Sequence, residues 1–110
     1  MDLDEYQAKT RNTASYPDAF SGTRAAINYT VVGLVGEAGE IANKWKKLLR
    51  GDYVGHSRMA IEDEIGDVLW YAARLAEELG TSLDVIAARN IAKLELRLKS
   101  GTIKGNGDDR

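Results

Sequence analysis

Residues 23–49, TRAAINYTVVGLVGEAGEIANKWKKLL, decide the fold. Ile27, Val31, Leu34, Val35, Ala38, Ile41, Ala42, Trp45, Leu48 and Leu49 recur at the i, i+3, i+4, i+7 spacing of one helical face, which predicts a long helix from about Thr23 to Leu49. Gly51 ends it, because glycine readily takes the left-handed conformation at a helix C-terminus. Upstream, Asp2 is a fair N-cap with Glu5 three residues on, predicting a short helix over about 2–13. Pro17 and the stretch Thr13-Ala14-Ser15-Tyr16 separate it from the rest.

Downstream, Asp52–Ser57 reads as a loop and residues 58–78 as a third helix. Its buried stripe is Ile61, Ile65, Val68, Leu69, Ala72, Leu75, Ala76 and Leu79. Gly80 stops it and Ser82 caps a fourth, over about 83–99, with Leu83, Ile86, Ala87, Asn90, Ile91, Leu94 and Leu98 on one side. No strand of useful length is seen, so the fold class is all-α, a four-helix bundle-like domain over residues 1–100. Residues 101–110 form a polar tail, mobile by composition.

The chain has 110 residues, of which 44% are apolar and 29% charged, the composition of one ordinary globular domain. A net charge of −2 without a long basic run argues against a nucleic-acid polymer as partner. There is no cysteine, so disulfides and thiolate metal sites are excluded. The lack of a long apolar run and of a basic start at Met1-Asp2-Leu3-Asp4-Glu5 predicts no membrane span or signal peptide and a cytoplasmic protein. A small chain buries only about 60–70% of its unfolded surface, so these wide apolar stripes predict self-association.

Glu37-x-x-Glu40 and Glu64-x-x-Asp67 break the greasy pattern. Residues three apart share a helix face, so each pair points two carboxylates at one spot, and two facing helices gather four. On a helical wheel Glu37 and Glu64 flank the apolar stripes, while Glu40 and Asp67 lie one step nearer solvent. Clustered carboxylates cannot all stay ionised unless protons or a cation compensate, and magnesium is a natural compensator. Glycines at 33, 36, 39 and 66 each cost about 1 kcal/mol in a helix relative to alanine, which implies close approach by backbone, ligand or partner. One such acid pair also reads as a solvated face, paired with Lys44 or Lys47. His56, the lone histidine, is expected to be exposed, which disfavours a di-iron bundle built on Glu-x-x-His pairs.

Gly33-Leu34-Val35-Gly36-Glu37-Ala38-Gly39-Glu40-Ile41-Ala42, followed after a 23-residue spacer between Glu40 and Glu64 by Asp63-Glu64-Ile65-Gly66-Asp67-Val68-Leu69-Trp70-Tyr71, resembles the MazG-like nucleoside triphosphate pyrophosphohydrolases. Asn90-Ile91-Ala92-Lys93-Leu94 and the Gly-rich terminus strengthen the likeness to short bacterial and phage members. The resemblance implies a homodimer or homotetramer with Mg2+, or Mn2+ in its place, held by Glu37, Glu40, Glu64 and Asp67. The implied reaction cuts an NTP or dNTP between the α and β phosphates, giving a monophosphate and pyrophosphate, with Glu40 or Glu64 taking the water's proton.

Lys44, Lys47, Lys93 and Arg97 are candidate phosphate contacts. Asn90 and Lys93 match polar residues that reach the substrate in that family. Trp70, next to Asp67, is a candidate substrate contact, whereas Trp45 sits in the stripe and is expected in the core. Tyr6, Gln7 and Tyr16 are further candidates for closing over a base. Two other readings stay open: a non-catalytic oligomerisation module, and a metal-binding regulator without turnover.

Overall fold

Asp2 Oδ1 accepts the Glu5 amide at 2.8 Å and so starts α1, Leu3–Thr10. The helix expected to reach residue 13 ends at Thr10 and tightens into a 3-10 turn, Arg11–Thr13. Thr23 caps α2, Arg24–Leu49, through the Ala26 amide. Helix α3 spans Arg58–Glu78, and Ser82 caps α4, Leu83–Ser100, through the Val85 amide at 3.2 Å. Gly51, Gly80 and Gly101 follow the helix ends with φ of +86°, +79° and +73°, the left-handed values that favour glycine. This computed structural model describes residues 1–52 and 58–108, among which there is no strand. The expected loop at 52–57 and His56 lie almost wholly outside the described residues.

Helices α2 and α3 form the body of the molecule. Gly33 meets Tyr71, Glu37 meets Glu64 and Asp67, and Lys44 meets Glu64, so the two helices run antiparallel. Helix α1 lies against α3, and Gln7 pins it to the α3–α4 turn, donating to the Thr81 carbonyl at 3.1 Å and accepting the Leu83 amide at 2.8 Å. Helix α4 packs on α1 and on α3 only modestly.

The buried centre is more polar than the stripes predict. Arg74 and Thr30 are fully buried, with Ala26, Ala73, Ala76, Tyr16 and Glu78 around them. Glu78 accepts from the Tyr16 hydroxyl, the Phe20 amide at 2.9 Å and the Gly22 amide at 2.8 Å. Arg74 donates to Glu77 at 3.0 Å and lies under the Phe20 ring, 4.9 Å from its centroid. Asp18 and Phe20 take positive φ (60° and 71°), a conformation uncommon for non-glycine residues, as the chain folds over these charges.

Many stripe residues meanwhile face solvent within one chain. Val35, Leu49 and Leu98 are 67–73% exposed, and Trp45, expected in the core, is 49% exposed. The radius of gyration is 16.6 Å, against about 13 Å for a compact chain of this length. Helix α3 covers one side of α2, while Val31, Val32 and Val35 of α2, Leu96 and Leu98 of α4, and Ile65 and Leu79 of the α3 stripe expected to be buried stay uncovered among the described residues.

Of the four helical glycines near the acids, only Gly33 answers to close packing inside the chain. A Cβ there would run into the Tyr71 ring, whereas a Cβ at Gly36, Gly39 or Gly66 would meet nothing within 4 Å among the described residues. Gly33→Ala is therefore expected to lower stability by about 1–3 kcal/mol through overpacking, despite alanine's better helix propensity. Urea denaturation checks it, with Tyr71→Leu in the Gly33→Ala background recovering part of the loss.

Candidate metal centre

The antiparallel register of α2 and α3 puts one oxygen each of Glu37, Glu64 and Asp67 within 4.8 Å of one another. Glu37 and Glu64 are half-buried and Asp67 is exposed, the inner and outer placement that the helical wheel gives. Glu40, one turn along from Glu37, is exposed and stands outside this cluster.

Lys44 Nζ donates to Glu64 Oε1 at 2.6 Å. With Glu37 ionised, the other oxygen, Glu64 Oε2, is buried and has no hydrogen-bond partner among the described residues. An unsatisfied buried carboxylate oxygen is costly. Beside two further carboxylates, it fits a hard divalent cation, which takes oxygen ligands and cancels the repulsion.

The charges have already redistributed to tolerate one another. The Glu37 carboxyl is raised to about 7, by hydrogen bonding to Glu64 first, then by burial and by the charges of Asp67, Glu64 and Glu40. Glu64 is held below the usual carboxylate range by Lys44 and by Glu37, and Lys44 is raised by the same pairing. Without a cation, Glu37 thus keeps a proton that a bound cation must expel. Cation affinity is expected to rise with pH up to about 7, and binding near pH 6 to release close to one proton per site. Titration calorimetry in buffers of differing ionisation enthalpy measures it; heats independent of buffer would contradict the assignment.

Lys47 lies half-buried on α2, and its side chain forms no ion pair among the described residues. Trp70 donates from Nε1 to Thr13 Oγ1 at 2.8 Å and meets Tyr16 and Tyr71 edge-on, with centroids 6.2 and 5.0 Å away. It therefore holds the segment after α1 in place. Tyr16 stacks on Tyr29 at 5.4 Å. Tyr6 reaches the Gly66 carbonyl at 3.5 Å, and burial and then the Asp67 charge raise its phenol above the ordinary value. Gln7 is a structural clamp.

Asn90 is exposed and lines a shallow groove with Ile86, Arg89 and Lys93. Lys93 and Arg97 pair with Asp108 of the tail, and among the described residues no ion pair joins either to the acids. The chain thus brings together Glu37, Glu64, Asp67 and Lys44, with Glu40 beside them, and leaves the α4 polar residues apart from that group. The Arg74–Glu78 cluster was not singled out from sequence. Its only linear signal is an Arg and a Glu at i, i+4, which reads as an ordinary surface pair.

Residues 27–102 match the description MazG nucleotide pyrophosphohydrolase domain, a span containing both acid pairs and all of α4. The chain belongs to the MazG nucleotide pyrophosphohydrolase family. It is similar to the Gene 37 protein of Mycobacterium phage L5, with 44% identity over 114 residues covering both chains completely. No solved structure matches it significantly. As in this generally metal-dependent MazG family, the chain carries an acidic cluster able to hold a cation. None of the helices, among the described residues, is long and apolar enough to cross a membrane. The α1 segment and Tyr16 lie outside the residues of the MazG match and within the span shared with the phage protein.

Proposed function

We propose that the chain hydrolyses a nucleoside or deoxynucleoside triphosphate between the α and β phosphates, releasing a monophosphate and pyrophosphate, with magnesium at Glu37, Glu64 and Asp67. The observation that carries this reading is the convergence of one oxygen each from three carboxylates on two helices, one of which, Glu64, has a buried Oε2 without a hydrogen-bond partner among the described residues. Bound there, the ion would supply Lewis acidity toward phosphate oxygens and lower the pKa of a water. Manganese is expected to replace it, having the same preference for oxygen ligands.

Within the chain's own residues, Lys44 neutralises Glu64 and fixes its orientation. That makes Lys44 a positioning residue for the acids before it is a phosphate contact. Glu64, committed to Lys44, is a poor proton acceptor. Glu40, exposed one turn along from Glu37 and in no ion pair among the described residues, is the better candidate to take the proton of the attacking water. Lys47, Asn90, Lys93, Arg97 and Trp70 remain proposed substrate contacts, Lys93 and Arg97 as cations for the phosphate chain.

The working unit is proposed to be a homodimer or homotetramer, acting in the cytoplasm, that of the host for a phage-borne chain. Support comes from the uncovered apolar faces of α2 and α4 and from the extended shape. Light scattering at micromolar concentration is expected to give at least a dimer; a monomer with full turnover would remove this part.

The reaction is tested by incubating the common NTPs and dNTPs with the protein and magnesium and identifying the first products. Pyrophosphate and monophosphate are expected from at least one. Orthophosphate and diphosphate as first products would place the cut between β and γ and refute the reading.

A further inference from the structure

Arg89, Lys93 and Arg97 recur every four residues on α4, so their side chains rise from one face about 6 Å apart along the axis. Two of them converge on one atom. Lys93 Nζ and Arg97 Nη2 each donate to Asp108 Oδ1 at 3.0 Å, and Arg97 Nη2 also donates to the Gly107 carbonyl at 3.3 Å. Left-handed turns at Gly101 and Gly107 bring the chain back to them.

The two sides of this contact differ in kind. Arg97 is built in: its side chain is 5% exposed, and its Nε is buried with no hydrogen-bond partner among the described residues. Asp108 is 80% exposed and is held by charge rather than by packing. A buried guanidinium with an unused donor thus has an exposed, displaceable carboxylate as its counter-ion. A phosphate oxygen suits the same two donors, and a polyphosphate carries further oxygens for Arg97 Nε and for Arg89 beyond.

We propose that the Asp108 carboxylate is a built-in competitor at Lys93 and Arg97, which an incoming phosphate chain must displace. The proposal rests on reading these cations as triphosphate contacts, and it assigns the tail the opposite of a supporting role. Lys93 and then Arg97 hold the Asp108 carboxyl below its usual range, so the competitor is charged throughout the neutral region.

The test uses inorganic pyrophosphate with the full chain in the presence of a chelator, so that the acid cluster and turnover play no part. Asp108→Asn removes the competing charge at an exposed position and is expected to tighten pyrophosphate binding about two- to fivefold, the range an exposed ion pair supports. Lys93→Ala is expected to weaken binding and to abolish the gain from Asp108→Asn in the double variant. With substrate and saturating magnesium, Asp108→Asn is expected to lower KM with kcat unchanged. Unchanged or weaker pyrophosphate binding in Asp108→Asn overturns the competitor. An unchanged substrate KM alongside tighter pyrophosphate binding overturns instead the reading of Lys93 and Arg97 as substrate contacts.

Discussion

Glu64→Gln is expected to cut pyrophosphohydrolase turnover by more than about 100-fold, beyond the usual loss when an outer-shell partner of a metal is removed. The amide removes the one acid that touches both Glu37 and Lys44. It also turns the bare Oε2 position into a neutral group that binds a cation weakly. Magnesium affinity is expected to fall with turnover, while the helical fold persists, because one member of a repelling cluster has lost its charge. The Glu37 carboxyl should return toward the ordinary range, since hydrogen bonding to Glu64 is the largest cause of its elevation. Glu40→Gln is the informative contrast: outside the three-oxygen cluster, it should lower kcat with magnesium affinity nearly intact. Titration calorimetry beside steady-state kinetics separates the two. Near wild-type turnover in Glu64→Gln would sink the site, and equal loss of metal affinity in Glu40→Gln would make that residue a ligand.

The acids were legible because their pattern is local. Two carboxylates three apart, flanking an apolar stripe, define a face by helical geometry alone, and Glu37, Glu64 and Asp67 meet as that geometry requires. Helix ends were legible for the same reason: Asp2 and Ser82 cap through their own side chains. Periodicity identifies a face but not what covers it, so Val35 and Leu98, which lie on apolar faces, and Trp45, expected in the core, stand exposed within one chain. The four glycines share a single explanation in sequence, yet among the described residues only Gly33 has a neighbour that requires it. Least legible was the Arg74 cluster. Its partners Thr10, Tyr16, Phe20 and Gly22 lie more than fifty residues upstream, and nothing local distinguishes a buried i, i+4 pair from a solvated one.

That cluster gives the largest expected effect on stability. Arg74→Ala would leave the Glu78 carboxylate buried with only hydroxyl and amide donors, and breaking a buried pair from one side typically costs about 3–5 kcal/mol. Arg74 also donates to the Tyr16 hydroxyl at 3.3 Å and to Thr10 Oγ1 at 3.4 Å, so the segment over α3 should loosen with it. Urea denaturation at pH 7 measures the loss. A change below about 1 kcal/mol would place this pair in the class of exposed ones.

The same groups set the pH profile of the metal-free chain. Burial pulls Glu77 and Glu78 up, but Arg11 and Arg74 on the first, and Tyr16, Gly22, Phe20 and Arg74 on the second, outweigh it and hold both below the ordinary 4.5. Their contribution is complete above that value and is lost as the pH falls through the depressed range. Glu37 acts in the opposite sense: its folded-state value near 7 stabilises the chain at low pH, and that gain fades as the pH rises from about 4.5 to 7. The two limbs predict a stability maximum in mildly acidic solution. Saturating magnesium should abolish only the upper limb, since the cation replaces the proton on Glu37, and should leave the acid limb where Glu77 and Glu78 put it. Denaturation midpoints from pH 4 to 8, with chelator and with magnesium, decide the matter: an upper limb that survives magnesium would mean that the cation does not sit on Glu37.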